Sequence, residues 1–339
     1  NINQPKSVLT TVLFEPKTKL NDSLTYDITS WAVPYAYGLE AYATTADVRP
    51  SGAVQIVEFT PNDLGPAYGY IFEWKNLKDA RLLAALLKND LKVRYTTKPV
   101  TIGSSRFGRG SVIVTERDND SGYHELLQGL ANKHERQLTR IESGFVTDGP
   151  DIGSSDVAYL KAPKVALVGG FGTSSLDFGA TWHFMEQNLG YPVTTLGTDY
   201  FSRIDLSEYN VLIMPNGWYS SLDDRAISNV KEWVQAGGTL IAVQGAINKL
   251  KGAEIGSIDT YNSDEEKKKF ESIDEQVKEE MKLVPTSEEE CYNIREYVAG
   301  AVFRVSMDNS HPLAYGYNKD YYSLKTSRNR FGYLETGNV

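Results

Sequence analysis

The stretch from Lys164 to Ala246 constrains the fold more than any other, because short apolar runs and amphipathic segments alternate along it. Residues 164–168 form an apolar run closed by Gly169 and Gly170, and residues 209–214 and 238–243 form two more, each ending at a turn signal. Runs of this kind read as strands buried on both faces. Between them, residues 175–189 place Leu176, Phe178, Trp182, Met185 and Leu189 at helical spacing, and residues 221–236 open on Ser-Leu-Asp-Asp and stop at Gly237 and Gly238. Both are predicted as capped amphipathic crossover helices. Strand, helix, strand, helix, strand implies an α/β fold with a parallel sheet covered on both sides.

In such sheets a ligand or nucleophile sits at the carboxyl ends of the strands, where helix N-termini and freed backbone donors converge. The loops Gly170–Ser175, Pro215–Trp218 and Val243–Ile247 lie there, and they supply a candidate ligand pocket of Gly170, Phe171, Gly172, Asn216, Gly217, Trp218 and Gln244. Gly170-Phe-Gly172 between a strand and a helix is half of a dinucleotide fingerprint. Its third glycine position is Ser175, and no acidic residue closes the second strand at the usual distance, so the cradle is incomplete. A Gly-x-Ser-x-Gly elbow and a Walker lysine are both missing from the chain, which removes those hydrolase and phosphoryl-transfer readings.

At 339 residues the chain has room for two domains of ordinary size. A formal charge of -9 argues against nucleic acid or an anionic membrane as the main partner, since both need a basic footprint. A single cysteine, Cys291, excludes an intrachain disulfide and a thiolate metal cluster. No apolar run is long enough for a helical membrane span. Asn1 follows no Met or signal pattern, and residues 334–339 read as the run-up to another strand, so both ends are expected to be cut.

Residues 1–65 are predicted as a β-rich linking segment, with strands at Ser7–Phe14 and Ala53–Phe59 and an aromatic-rich run from Tyr26 to Gly38. That run suits packing between domains, or less simply a carbohydrate or peptide platform. Residues 66–160 are predicted as a small α/β domain. Strands fall near 68–74, 92–96 and 107–115; one helix over 76–89 has Leu77, Ala80, Leu83, Ala84 and Leu87 on one face, and another over 122–134 has Leu126, Leu127 and Leu130 inward. Residues 143–155, rich in Gly, Ser and Asp, read as a connecting strap. The parallel-sheet domain then occupies 161–339, with a charged helical insertion at about 251–290 and a returning strand at 297–305.

Four histidines are few enough to weigh singly. His134-Glu135 begins like the zincin His-Glu-x-x-His motif, but Leu138 stands where the second histidine belongs. His124, on the same predicted helix, has no partner at ligand spacing. His183 follows Trp182 on a crossover helix, where a structural role is the simpler one, and His311 opens a turn before Pro312.

Two resemblances follow from these residues. The run Gly237–Gly245 resembles the strand-to-helix elbow of the class I glutamine amidotransferase-like, flavodoxin-like fold, whose catalytic members carry Cys two residues before the glycine. Here that position is Val243, and a slip of one residue offers Gln244; neither side chain can be an activated nucleophile. Leu313 likewise breaks the amidotransferase pattern in which a glutamate follows two residues after the histidine. More specifically, residues 5–9, 13–16, 26–38, 92–95, 144–145, 149–155 and 162–167, with Trp182-His-Phe184, Tyr191-Pro-Val193 and residues 311–316, resemble the region downstream of the catalytic domain in large bacterial zinc carboxypeptidases of the M14 type. The resemblance implies a secreted, periplasmic or extracellular metallopeptidase as the parent. Its zinc ligands and catalytic glutamate belong to an N-terminal peptidase domain and map onto nothing here, so no cofactor and no catalytic residue are expected in this chain. The implied role is a non-catalytic accessory region that docks on and supports the peptidase domain, with peptide substrate as a further contact. A small-ligand site at the carboxyl edge of the sheet is the alternative.

Overall fold

The computed structural model describes residues 4–15, 32–46, 52, 58–253, 255, 272, 275–289, 301–325, 331, 334 and 338–339. Two compact units divide the chain: residues 55–258 with 309–316 and 339 in the larger, and residues 1–54, 259–308 and 317–338 in the smaller. Tyr26–Trp31, the run 53–57 and Cys291 lie outside the described residues.

The smaller unit opens with helices α1 (Ser7–Phe14) and α2 (Val33–Ala36). The first corrects the strand expected there. Val8 and Val12, and Leu9 and Leu13, are each four apart, which is a helical repeat, and Thr10 and Thr11 return their hydroxyls to the carbonyls of Lys6 and Ser7.

Among the described residues, the larger unit holds two main sheets and a two-stranded hairpin. The first is antiparallel, in the order β6-β1-β5-β2-β7, from β1 (Gly69–Phe72), β2 (Val93–Thr96), β5 (Val112–Thr115), β6 (Thr139–Ile141) and β7 (Val157–Leu160); β3 (Val100–Ile102) and β4 (Ser105–Phe107) form a separate hairpin. Because side chains alternate along a strand, Tyr70, Phe72, Val112 and Val114 share one core with α3 (Leu77–Lys88) and α4 (Tyr123–Lys133). Ile71, Ile113 and Ile141 share the other with Val100, Phe107 and Ile152. Ile152 anchors the glycine-rich strap there, with Asp148 bridged to Thr101. Asn76 caps α3 as its sequence predicts, and Asp79 answers with a reciprocal bond to the Asn76 N–H. Leu82, Leu86 and Leu127 are fully buried, each contributing about 1.5–3 kcal/mol of apolar burial. Leu77 and Leu126, expected inward, are exposed at the helix starts.

The second sheet is parallel, with strands β8 (Val165–Gly169), β9 (Val193–Gly197), β10 (Val211–Met214) and β11 (Thr239–Ala242) in the order β11-β10-β8-β9. Helix α5 (Ser175–His183) follows β8 and runs into a π turn over Phe184–Asn188. Helix α6 (Asp224–Gln235) follows β10, and α7 (Gly245–Leu250) follows β11. One face of the sheet, with Val165, Leu167 and Ile213, joins Phe178 and Met185 in the same core as Leu82 and Leu86 of α3. The domain boundary expected near residue 160 therefore falls inside one shared core. Arg81 Nε adds a bond to the Asn188 carbonyl at 2.6 Å. The opposite face packs Ala166, Val168, Leu212 and Met214 against Ala226, Val230 and Trp233 of α6.

Three expectations change. Strand β9 is absent from the alternation read in the sequence, because it is an edge strand whose Thr194 and Thr195 are exposed and polar. Strand β11 is an edge as well, so Ile241 stays 45% exposed instead of buried on both faces. In α5, Phe178 packs inward while Leu176 and Trp182 face solvent, and the α-helix gives way to the π turn at Phe184.

The smaller unit resumes with the antiparallel pair β12 (Ala301–Ser306), which overlaps the strand expected at 297–305, and β13 (Asp320–Lys325), which was not expected. Tyr35 packs against Tyr322 of β13 in a tilted arrangement at 5.3 Å between ring centroids, and Pro34 is buried beside it in sequence, while Tyr37 stands in solvent. Of the charged insertion, residues 275–281 are helical.

Candidate functional site

The order of the parallel strands puts β8 between β9 and β10, so consecutive connections leave β8 in opposite directions. At that point the carboxyl ends of β8 and β10 face a natural crevice. The loops after these strands fill it with each other. Gly172 O accepts the N–H of Trp218 at 2.7 Å and of Tyr219 at 3.1 Å, and Asn216 O accepts from Ser174 N at 2.9 Å. A bridge pairs Thr173 with Gly217. Gly217 is required for this approach, since a Cβ there would lie 2.5 Å from the Gly172 carbonyl oxygen. Phe171 is clamped through its carbonyl, which accepts from Thr198 Oγ1 at 3.0 Å and Ser221 Oγ at 3.1 Å.

The third loop turns from β11 into α7 at Gln244, whose φ of 49° and ψ of -110° are strained for any residue with a Cβ. Val243, one residue past β11, donates its N–H to Met214 O at 3.0 Å. The bend of the elbow thus falls on Gln244, one residue beyond the Val243 position taken from the amidotransferase pattern. The N–H that follows, Gly245 N, is a backbone donor of the kind that stabilises an oxyanion in acyl transfer. It is already engaged: Asn216 Oδ1 accepts it at 3.1 Å, and Asn216 Nδ2 donates to Asp177 Oδ2 at 3.3 Å. A Cβ on Gly245 would fall 2.3 Å from Gly217 O, so this glycine too is set by close approach.

Nearby, Tyr219 adopts φ 51° with its ring fully buried and its hydroxyl donating to Pro215 O at 2.6 Å, and burial pushes its phenol up. Two non-glycine residues with positive φ, Tyr219 and Gln244, thus lie on the two loops that the Asn216–Gly245 bond joins. Strain of this kind gathers at ligand clamps and active sites.

All seven residues of the predicted pocket lie on these three loops. Asn216 bonds to Gly245, Trp218 bonds to Gly172, Gly217 is bridged to Thr173, and Phe171 is tied to the flanking Thr198 and Ser221. The sequence pattern does not single out Asp177, which reads as an ordinary residue in the first turn of α5, nor Tyr219, whose conformation has no sequence signal. No histidine joins them among the described residues. His183 ends α5, with Nδ1 at 3.2 Å from Asn188 Nδ2. His124 and His134 belong to α4 and its cap, where burial lowers the His134 imidazole below its ordinary range. His311 caps a short turn through Leu313 N. Among the described residues no three His, Cys, Asp or Glu side chains are grouped as a metal site.

An open cavity of about 690 Å³ lies at the other edge of the sheet, near the amino ends of β8, β10 and β11. Two of its polar side chains are used by the fold: Asn210 accepts from Lys164 N at 2.7 Å and donates to Ala162 O, and Trp233 Nε1 donates to Tyr209 O at 3.1 Å. Compared with known proteins, the chain matches no family model, no curated protein and no solved structure.

Proposed function

We propose that this chain is a non-catalytic accessory region of a secreted zinc metallocarboxypeptidase of the M14 type, docking on and supporting a peptidase domain that holds the zinc. One observation carries the reading: the elbow after β11 is fully built and strained, yet it presents Gln244 and has its adjacent donor Gly245 N closed by Asn216. A carboxamide cannot attack an acyl carbon, so the scaffold keeps its geometry without its reactive atom. The strand order, numbered within the sheet, is 2-1-3-4, which supports a flavodoxin-like, amidotransferase-like fold for this domain. Exposed Leu176, Phe184, Ile241 and Val243 supply apolar surface for docking. The test is the full reading frame together with a binding measurement. A His-x-x-Glu pair with a later His ahead of Asn1, and association of that peptidase part with this chain when the two are produced separately, are expected. An upstream sequence lacking the zinc ligands, or no association, would remove the proposal.

A second reading is a small-ligand site at the carboxyl edge of the parallel sheet. It is favoured by Trp218 and Phe171, whose side chains stand in solvent although their backbones are clamped.

A further inference from the structure

Helix α5 covers one face of the parallel sheet with Phe178, and with Met185 just beyond its end, yet none of its residues is fully buried. Its opposite face is apolar and open. Leu176, Ala180 and Phe184 follow one another at four-residue spacing, and the backbone stays helical through Phe184. At about 100° per residue, these three lie within about 40° of one line, on the side away from Phe178. Leu176 is 83% exposed and Phe184 45%, Ala180 is exposed, and a Cβ on neighbouring Gly179 would meet nothing within 4 Å. The stripe therefore has a large side chain at each end and a flat floor between them.

The stripe is complementary to itself. A two-fold axis through Ala180 sets a second α5 antiparallel to the first: Ala180 meets its own copy, Leu176 meets Phe184 of the second copy, and Asp177 meets His183 of the second copy. The polar pair matches atom for atom. Asn188 Nδ2 donates to His183 Nδ1 at 3.2 Å, which leaves the imidazole proton on the exposed Nε2. Asp177 gives Oδ2 to Asn216 at 3.3 Å, and its Oδ1 has no partner among the described residues. A free donor and a free acceptor thus stand on opposite flanks of the stripe, where the two-fold brings them together twice. Charge selects the same occupant. A chain of formal charge -9 repels its copy over most of its surface. From Phe178 to Met185 the only ionisable side chain is His183, so this face is spared that repulsion.

We infer that α5 pairs with α5 of a second copy of this chain in an antiparallel two-fold contact centred on Ala180. Leu176 and Phe184 then belong to this contact, and Ile241 and Val243 remain for the peptidase domain. A contact of one helix from each copy falls below the roughly 1,200 Å² of stable interfaces, so the dimer is weak and reversible. The test uses the whole chain in a Cys291→Ser background, which leaves no other thiol. Ala180→Cys is oxidised beside Lys133→Cys, an exposed control at the end of α4. A disulfide needs Cα atoms about 4.4–6.8 Å apart, a reach that the axis gives to position 180 and not to position 133. Ala180→Cys is expected to link copies about tenfold faster than the control, and adding Leu176→Glu is expected to abolish the excess. Sedimentation of the unsubstituted chain at rising concentration should show a monomer-dimer equilibrium that Leu176→Glu removes and His183→Ala weakens severalfold. Leu176 is at the surface, so thermal unfolding of its variant should match wild type. Equal linking rates for the two cysteines, a monomer at every concentration, or a dimer that ignores Leu176→Glu overturns the inference.

Discussion

Asn216 Oδ1 accepts the backbone N–H of Gly245 at 3.1 Å, and this one bond ties the loop after β10 to the elbow after β11. Removing it leaves a half-buried donor without its partner and frees the carboxylate of Asp177 from Asn216 Nδ2. Asn216→Ala is therefore expected to cost about 1–2 kcal/mol of stability, read from urea unfolding. Gly245→Ala is expected to cost about 2 kcal/mol by steric overlap with the Gly217 carbonyl, without removing any hydrogen-bonding group.

Gln244 bears the strain of the elbow. A β-branched residue tolerates positive φ less well than an unbranched one, and glycine is free of the penalty. Gln244→Val should destabilise by about 1–2 kcal/mol and Gln244→Gly should be neutral or stabilising, measured by thermal and chemical unfolding. Gln244→Cys should place a thiol that labelling reagents reach, yet release no ammonia from glutamine, because Gly245 N is occupied and no histidine is at hand. Measurable glutaminase turnover by that variant would show that Asn216 does not close the site.

Legibility in the sequence differed by element, for physical reasons. The helices α3 and α4, the strands β8 and β10 and the three carboxyl-edge loops were all readable, because caps, glycine stops and continuous apolar runs act locally. Strand β9 was not, since an edge strand needs few apolar residues, and Thr194 and Thr195 give no hydrophobic signal. Ser7–Phe14 reads as alternating at first sight, yet the four-residue spacing of its valines and leucines is what the helix uses. The pocket residues were legible as loop positions. Their bonding was not, because Asn216 reaches Gly245 across 29 residues of chain.

A separate network sets acid sensitivity in the antiparallel sheet. Asp118 accepts from Arg94 Nε at 2.7 Å, from Tyr159 at 2.6 Å and from Thr115 at 2.7 Å, and Arg94 lies 4.0 Å over the Tyr159 ring. The Arg94 bonds are the largest cause holding its carboxyl at about 2, below the ordinary 3.8, and they outweigh burial. A depressed folded-state pKa contributes stability that is present above 3.8 and lost as pH falls from there through about 2. With solvent screening the contribution is about 1 kcal/mol. Asp118→Asn should be less stable than wild type at pH 7, and the two unfolding curves should converge near pH 2. A constant difference across that range would mean that Asp118 titrates alike in the folded and unfolded chains.

The most direct test of the central claim is turnover by the purified chain itself. Release of C-terminal residues from peptides, with and without added zinc, and release of ammonia from glutamine would be followed under saturating substrate. Neither should exceed the buffer control. Hydrolysis that a chelator abolishes, or that Gln244→Ala or Asn216→Ala removes, would place a working catalytic centre in this chain and contradict the account.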